Sequence, residues 1–303
     1  MQKTRRETVL NAPGPQGALN GTLLSPLTSP QHVVLMIAGS GPTDRDGNNP
    51  LGVKASTFRL LAEQLAQNGI ATLRADKRGM FASAAAVPDA NAVTINDYVD
   101  DVRSWITVIT RRFPTAAVWL LGHSEGGIVA LAAAQEEALR GVILVATPSR
   151  APGAVLKEQL TANSQNPLFL EQGLAVVDAL EKGRHVDVSP LDPALQGLFH
   201  PAVQGFLIDL FAYHPAQMIA ALTKPVLIIQ GLRDLQVPAQ EAHRLQRANP
   251  RAALVLLPDT NHVLKTVKSD DQRENYAAYT NASLPLATGV VEAIAQFLTR
   301  HTS

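Results

Sequence analysis

The chain has 303 residues, 46% of them hydrophobic and 17% charged, with Lys+Arg and Asp+Glu both at 26. That size suits one large α/β domain, or one domain carrying an insertion, with enough core to need no cross-links. The charge balance gives no overall field directed at nucleic acid or an anionic membrane, and the lack of cysteine excludes disulfides, a thiol nucleophile and thiolate metal sites.

Residues 5–25 alternate apolar and polar around Pro13-Gly14-Pro15-Gln16-Gly17, the pattern of an antiparallel hairpin. Ahead of it, Met1-Gln2-Lys3-Thr4-Arg5-Arg6-Glu7 is basic with no apolar run behind it, and stretches such as Val33 to Ala38 are too short for a bilayer. A cytoplasmic protein without membrane contact is expected. Val33 to Ala38 reads as a buried strand that runs into the Gly-rich loop Gly39-Ser40-Gly41-Pro42-Thr43-Asp44-Arg45-Asp46-Gly47-Asn48. A helix follows over 55–67, then a strand over 70–75 that delivers Asp76-Lys77-Arg78-Gly79.

Residues 95–113 form a long amphipathic pattern with Tyr98, Val102, Trp105, Ile106 and Ile109 inward. Val118 to Leu121 is an apolar strand that meets Gly122-His123-Ser124-Glu125-Gly126-Gly127, after which small residues begin a helix. Strand, Gly-x-Ser-x-Gly, helix is the layout of a nucleophile elbow, a sharp turn that lifts a serine hydroxyl above a sheet. Another strand covers 141–146. From Thr147 to Lys224 the alternation stops, and the segment reads as helices broken by Pro152, Pro167, Pro190, Pro193, Pro201 and Pro215. It is expected to be an inserted cap, with 1–146 and 225–303 forming the core. Strands resume at 225–230 and 252–257, with helices near 238–248 and 288–300. The strand–helix alternation predicts a mostly parallel sheet covered on both faces.

A serine hydroxyl needs a base, and the base needs a carboxylate to orient it. Of the eight histidines, His262 follows the last strand, at the sheet edge where open α/β folds carry their sites. His123 adjoins the serine, but the turn is expected to aim its ring away. Asp234 in Gly231-Leu232-Arg233-Asp234 follows the preceding strand and is the first candidate acid; Asp259 and Asp209 are the alternatives. Two N–H donors are required for the oxyanion, one from Glu125 and the other from Ser40 or Gly41. A dinucleotide loop at Gly39-x-Gly41 lacks its third glycine, since Asp44 stands there.

On these residues the chain resembles the α/β-hydrolase family, in its bacterial esterase and serine-aminopeptidase-like branch. The resemblance implies an eight-stranded sheet, a helical cap and hydrolysis of an acyl bond through an acyl-enzyme, with no metal and no cofactor. One departure is Ala38-Gly39 where the family has His-Gly; another is the Ser40 to Asn48 loop, whose charges either brace the loop internally or meet the substrate. A small-molecule carboxylic ester is the expected substrate, with Phe169, Phe199, Phe206, Phe211, Tyr213 and Met218 as candidates for an acyl pocket. Peptide, thioester and perhydrolase chemistry are open to the same triad, and a non-catalytic receptor is the alternative of another class.

Overall fold

A computed structural model describes residues 4–302, so the start of the basic leading segment, Met1 to Lys3, lies outside the described residues. The eight strands are β1 (Arg5–Pro13), β2 (Ala18–Pro26), β3 (His32–Ile37), β4 (Ala71–Ala75), β5 (Ala117–His123), β6 (Leu139–Val145), β7 (Val226–Gly231) and β8 (Ala253–Leu257). They form one sheet in the order β1-β2-β4-β3-β5-β6-β7-β8. The β1/β2 hairpin and the β2/β4 pairing are antiparallel, and every pairing from β4 to β8 is parallel.

Parallel strands need crossovers, and these are supplied by α1 (Thr57–Gln67), α2 (Ile95–Arg112) and α3 (Glu125–Ala133). Thr94 caps α2: its hydroxyl accepts from Asp97 N at 3.1 Å while Asp97 Oδ2 accepts from Thr94 N at 2.9 Å. Between β6 and β7 lie α4 (Pro152–Asn163), α5 (Pro167–Glu181), α6 (Pro193–Leu198), α7 (Pro201–Phe211) and α8 (Pro215–Ala220). All five open on a proline. A missing N–H costs nothing in the first turn and φ is preset there, so these prolines start helices as well as separating them. The C-terminal part carries α9 (Ala239–Ala248), the short α10 (Gln272–Ala277) and α11 (Val290–Arg300).

Side chains alternate across the sheet and divide the core in two. Val142 and Leu144 of β6 point into the layer formed with α2 and α3, where Val99, Trp105, Ile128 and Val129 are buried. Ile143 and Val145 point to the opposite layer, with Phe58, Leu61, Val290 and Phe297 of α1 and α11. The inserted helices join the first layer through Val176, Val177, Leu180, Leu195 and Phe199. No helix among the described residues is long and apolar enough to cross a membrane.

Strand order reverses beside β3, which has β4 on one side and β5 on the other. At such a switch point the loops leaving the carboxyl ends diverge and open a crevice. Those loops begin at Ala38 and Ser124.

Candidate active site

Ser124 adopts φ 55°, ψ −122°, between β5 and α3. A non-glycine residue rarely occupies this region, and holding it there costs about 1–3 kcal/mol. The glycines at 122 and 126 are what the turn requires. A Cβ on Gly122 would strike the Gly126 carbonyl, and one on Gly126 would strike the Ile37 carbonyl of β3. The Ser124 amide donates to the Val145 carbonyl at 2.8 Å, fixing the turn to β6 as well.

The loops after β7 and β8 are zipped together by backbone bonds, Leu232 N to Leu257 O and Arg233 N to Thr260 O, both 2.9 Å. This brings Asp234 and His262 face to face, with Nδ1 2.7 Å from Oδ2 and both side chains almost fully buried. Oδ1 of Asp234 accepts from the amides of Gln236 and Val237 at 2.8 Å each, which sets the plane of the carboxylate. A carboxylate only accepts, so His262 donates to it from Nδ1, and Nε2 is the ring nitrogen turned away from Asp234. Ser124 and His262 line one cavity of about 230 Å³.

The rival acids are engaged elsewhere. Asp259 has φ 54° and forms part of a turn, its carbonyl accepting from Val267 N at 2.7 Å and its carboxylate 3.6 Å from Arg233. Asp209, on α7, accepts from the Ile95 amide at the start of α2 at 2.8 Å.

Glu125 opens α3, so its amide has no carbonyl one turn back to bond. Gly39 packs against the serine: a Cβ there would lie 3.5 Å from Ser124 Cβ. Ser40 and Gly41 follow at the cavity wall. This loop is held by Lys77, whose ammonium donates to the carbonyls of Gly39 and, at 2.9 Å, Gly41. The Glu125 carboxylate accepts from Ser40 Oγ at 3.1 Å. Burial pushes the Lys77 pKa down and the Glu125 pKa up, each partly offset by the other's opposite charge. Nothing in the sequence marked Lys77 for this task except its place at the end of a strand beside β3.

The charged loop is braced, but not internally as ion pairs. Arg45 reaches out of the loop to Asp76 at 2.8 Å and to Thr22 at 2.9 Å, and Asp46 pairs with the buried Arg74 of β4. Asp44 alone works within the loop, accepting from the amides of Asp46 and Asn48 at 2.9 Å each.

His123 departs from expectation. Its ring does not turn away but lies 4.8 Å from the His262 ring, and its Nε2 donates to the His262 carbonyl at 2.8 Å. Burial and the neighbouring imidazole lower its pKa to about 4, so it stays neutral at physiological pH.

A second cavity of about 360 Å³ opens on the other side of Ser124, between the sheet edge and the inserted helices. Its volume falls within the usual range of small-molecule sites, roughly 300–1,000 Å³. Of the six acyl-pocket candidates, Phe206 and Phe211 line it. Phe169, Phe199, Tyr213 and Met218 do not: Phe199 is fully buried in the core and the other three pack against it. Helical spacing shows that a residue is inward but not whether inward means core or cavity. Tyr98 of α2 is on the wall instead, edge-on to Phe206 with ring centres 6.2 Å apart.

Residues 51–266 match the Hydrolase_4 family, described as serine aminopeptidase, S33. The chain is similar to esterase EstD of Thermotoga maritima, 27% identical over 250 residues, which is 78% of this chain and 55% of that protein. A match to 2-(acetamidomethylene)succinate hydrolase of Mesorhizobium japonicum is 26% identical over 197 residues, 58% of this chain and 66% of the other. The chain thus spans about half the length of the first of these relatives and under two thirds of both. Among solved structures, Est1E from Butyrivibrio proteoclasticus superposes with a TM-score of 0.60 at 16% identity, covering 96% of this chain and 98% of that one. An esterase of Pyrococcus furiosus also gives 0.60, at 15% identity, covering 99% of this chain and 92% of that one. At such identities the superpositions speak for the fold, and the family match speaks for descent. The chain belongs to the Hydrolase_4 family of serine aminopeptidase S33 type, on an α/β-hydrolase fold.

Proposed function

We propose that this protein hydrolyses carboxylic esters through an acyl-enzyme, with Ser124 as nucleophile, His262 as general base and acid, and Asp234 orienting the imidazole. The observation that carries this reading is the buried 2.7 Å Asp234–His262 pair, on loops locked to each other, beside a serine in a strained turn at a helix start. His262 Nε2 takes the Ser124 proton as Oγ adds to the ester carbonyl. The amides of Glu125 and of Ser40 or Gly41 stabilise the oxyanion, His262 protonates the departing alcohol, and water then releases the acid by the reverse path. Helices α4–α8 act as the cap over this chemistry.

The naming of the Thermotoga relative as an esterase supports an ester substrate. Peptide-bond cleavage from an amino terminus needs a free carboxylate to hold the amine. Glu125 is the acid nearest the serine, and it is a poor candidate: Ser40 and Lys77 already engage it and burial pushes it toward the neutral form. Ester, aminoacyl-anilide and acyl-thioester substrates, compared on one preparation, test this directly. The ester is expected to turn over fastest, and Ser124→Ala to lower that rate by a factor on the order of 10⁶. Wild-type rates in Ser124→Ala would refute the mechanism.

A further inference from the structure

Ser124 stands between two cavities, and only one of them contains the base. The 230 Å³ cavity is lined by Ser124, Ser40, Gln236 and His262. The 360 Å³ cavity shares Ser124, Ser40 and Gln236 but not His262. The two differ in size and in which groups interrupt an otherwise apolar lining. The larger is walled by Ile128, Val155, Leu156, Phe206, Leu207 and Phe211. The smaller sets Thr43, Asn49, His123 and Tyr279 among Val53, Phe58 and Val263.

This division assigns the two halves of the substrate. When Ser124 Oγ bonds to the carbonyl carbon, the tetrahedral centre carries three other groups. The oxyanion points to the amides of Glu125 and of Ser40 or Gly41. The alkoxy oxygen must lie within reach of His262 Nε2, because the serine's proton passes through that nitrogen to this oxygen as the C–O bond breaks. The alcohol therefore leaves through the cavity that contains His262, and the acyl substituent occupies the other.

We propose that the enzyme is selective for esters of a bulky apolar acid with a compact alcohol bearing a further hydrogen-bonding group. The apolar acyl chain or ring fills the cavity under α4, α6 and α7, and the alcohol sits in the smaller cavity beside His262, within reach of its few polar groups. This rests on the ester reading above and gives the substrate its class. The polar groups facing the alcohol are defined. Tyr279 OH accepts from Gln236 Nε2 at 2.7 Å, which leaves the phenolic proton free to donate. His123 donates through Nε2, so its neutral ring keeps a lone pair on Nδ1. Thr43 Oγ1 donates to the Ser40 carbonyl at 2.8 Å and accepts from Asn49 Nδ2 at 3.3 Å. Thr43 and Asn49 flank Arg45 and Asp46, whose ties to Thr22 of β2, Arg74 of β4 and Asp76 hold this wall in place.

The isomers ethyl hexanoate and hexyl acetate contain the same atoms, with the long chain on opposite sides of the ester. Wild-type kcat/KM should favour ethyl hexanoate at least about tenfold, a discrimination of the size that a few methylenes give in a shaped pocket. With the acid fixed as hexanoate, the glycerol monoester should outrun the hexyl ester. Leu207→Trp, narrowing the acyl cavity, should erase the preference between the isomers and change the deacylation rate of the hexanoyl-enzyme. Val53→Phe, narrowing the other cavity, should slow acylation by the glycerol ester and leave that deacylation rate unchanged, because the alcohol has already departed. Leu207→Ala and Val53→Ala should shift the preferences in the opposite directions, which separates cavity shape from damaged folding. Equal or reversed isomer rates in wild type, or a deacylation rate that responds to Val53 and not to Leu207, would overturn the assignment while Ser124-dependent hydrolysis stands. Hydrolysis of neither isomer by wild type above the Ser124→Ala background would overturn the ester reading itself.

Discussion

The rim that carries Ser124, Asp234 and His262 and the helices between β6 and β7 are built by different forces. At the rim, loops after β3, β5, β7 and β8 are fixed by backbone hydrogen bonds, and four non-glycine residues there, Ser56, Ser124, Asp259 and Leu264, are held at positive φ. Along the insertion, five helices lie against the core through apolar side chains such as Val177, Leu180, Leu195 and Phe199. An ion pair also joins the insertion to the rest. Glu241 of α9, fully buried, accepts from Ser149 N at 2.7 Å and Arg150 Nε at 2.6 Å just ahead of α4. On the proposed reading the difference separates two properties: directional bonds at the rim would hold reacting atoms in place, while packing of α4–α8 would set the shape of what is accepted.

Perturbing either side tests that separation. Asp234→Asn keeps the shape but leaves the imidazole in the wrong tautomer, and should lower kcat by roughly 10⁴ on any ester without moving the order of substrate preference. Steady-state kinetics on three or more esters check both parts; a change of preference would mean the rim also selects. Glu241→Ala removes the buried anchor and strands Ser149 and Arg150. It should cost roughly 2–3 kcal/mol of stability in denaturant titrations. A loss below about 0.5 kcal/mol would show that this anchor does not seat the insertion.

Lys77→Met frees the carbonyls of Gly39 and Gly41 and loosens the oxyanion loop. The expected result is a fall in kcat of about 10–100-fold with KM little changed, since the loss falls on the transition state. A rise in KM at constant kcat would make Lys77 a substrate contact instead. The smallest effect concerns Lys265, which anchors the His262 loop by donating to the Leu284 carbonyl. Burial lowers its pKa to about 8 from an ordinary 10.5, with Arg59 adding to the shift. The unfolded chain then holds this proton more tightly than the folded one between those values, so stability should rise with pH across that window and be flat below it. Lys265→Met should abolish the rise; a stability curve unchanged by that substitution would place the titration elsewhere.

The rim was legible in the sequence because its requirements are local. Gly122 and Gly126 record a backbone crossing, and Asp234 and His262 each follow an apolar strand within a few residues. The sheet was legible for the same reason, since β-strand runs and amphipathic helices are short-range patterns. What depends on contacts far apart in the chain was not. His123 turns inward because the His262 carbonyl, 139 residues away, accepts from it. Helix α10 has little apolar periodicity; its role is Asn275, which donates to the Arg233 carbonyl at 2.7 Å and accepts from Asn261 at 3.2 Å, bridging the two catalytic loops. Phe199, just past α6, and Phe206 of α7 are both inward, and only the fold decides that one fills the core and the other faces the cavity.

The central claim is that an acyl group passes through Ser124. Wild-type protein mixed with an excess of p-nitrophenyl hexanoate, quenched in acid within the first turnover and digested, should yield the peptide containing Ser124 heavier by one hexanoyl group. That increment should disappear as substrate is exhausted and be absent from Ser124→Ala. Turnover with no covalent increment at any time, or an increment that forms and decays on another residue at the rate of turnover, would contradict the account.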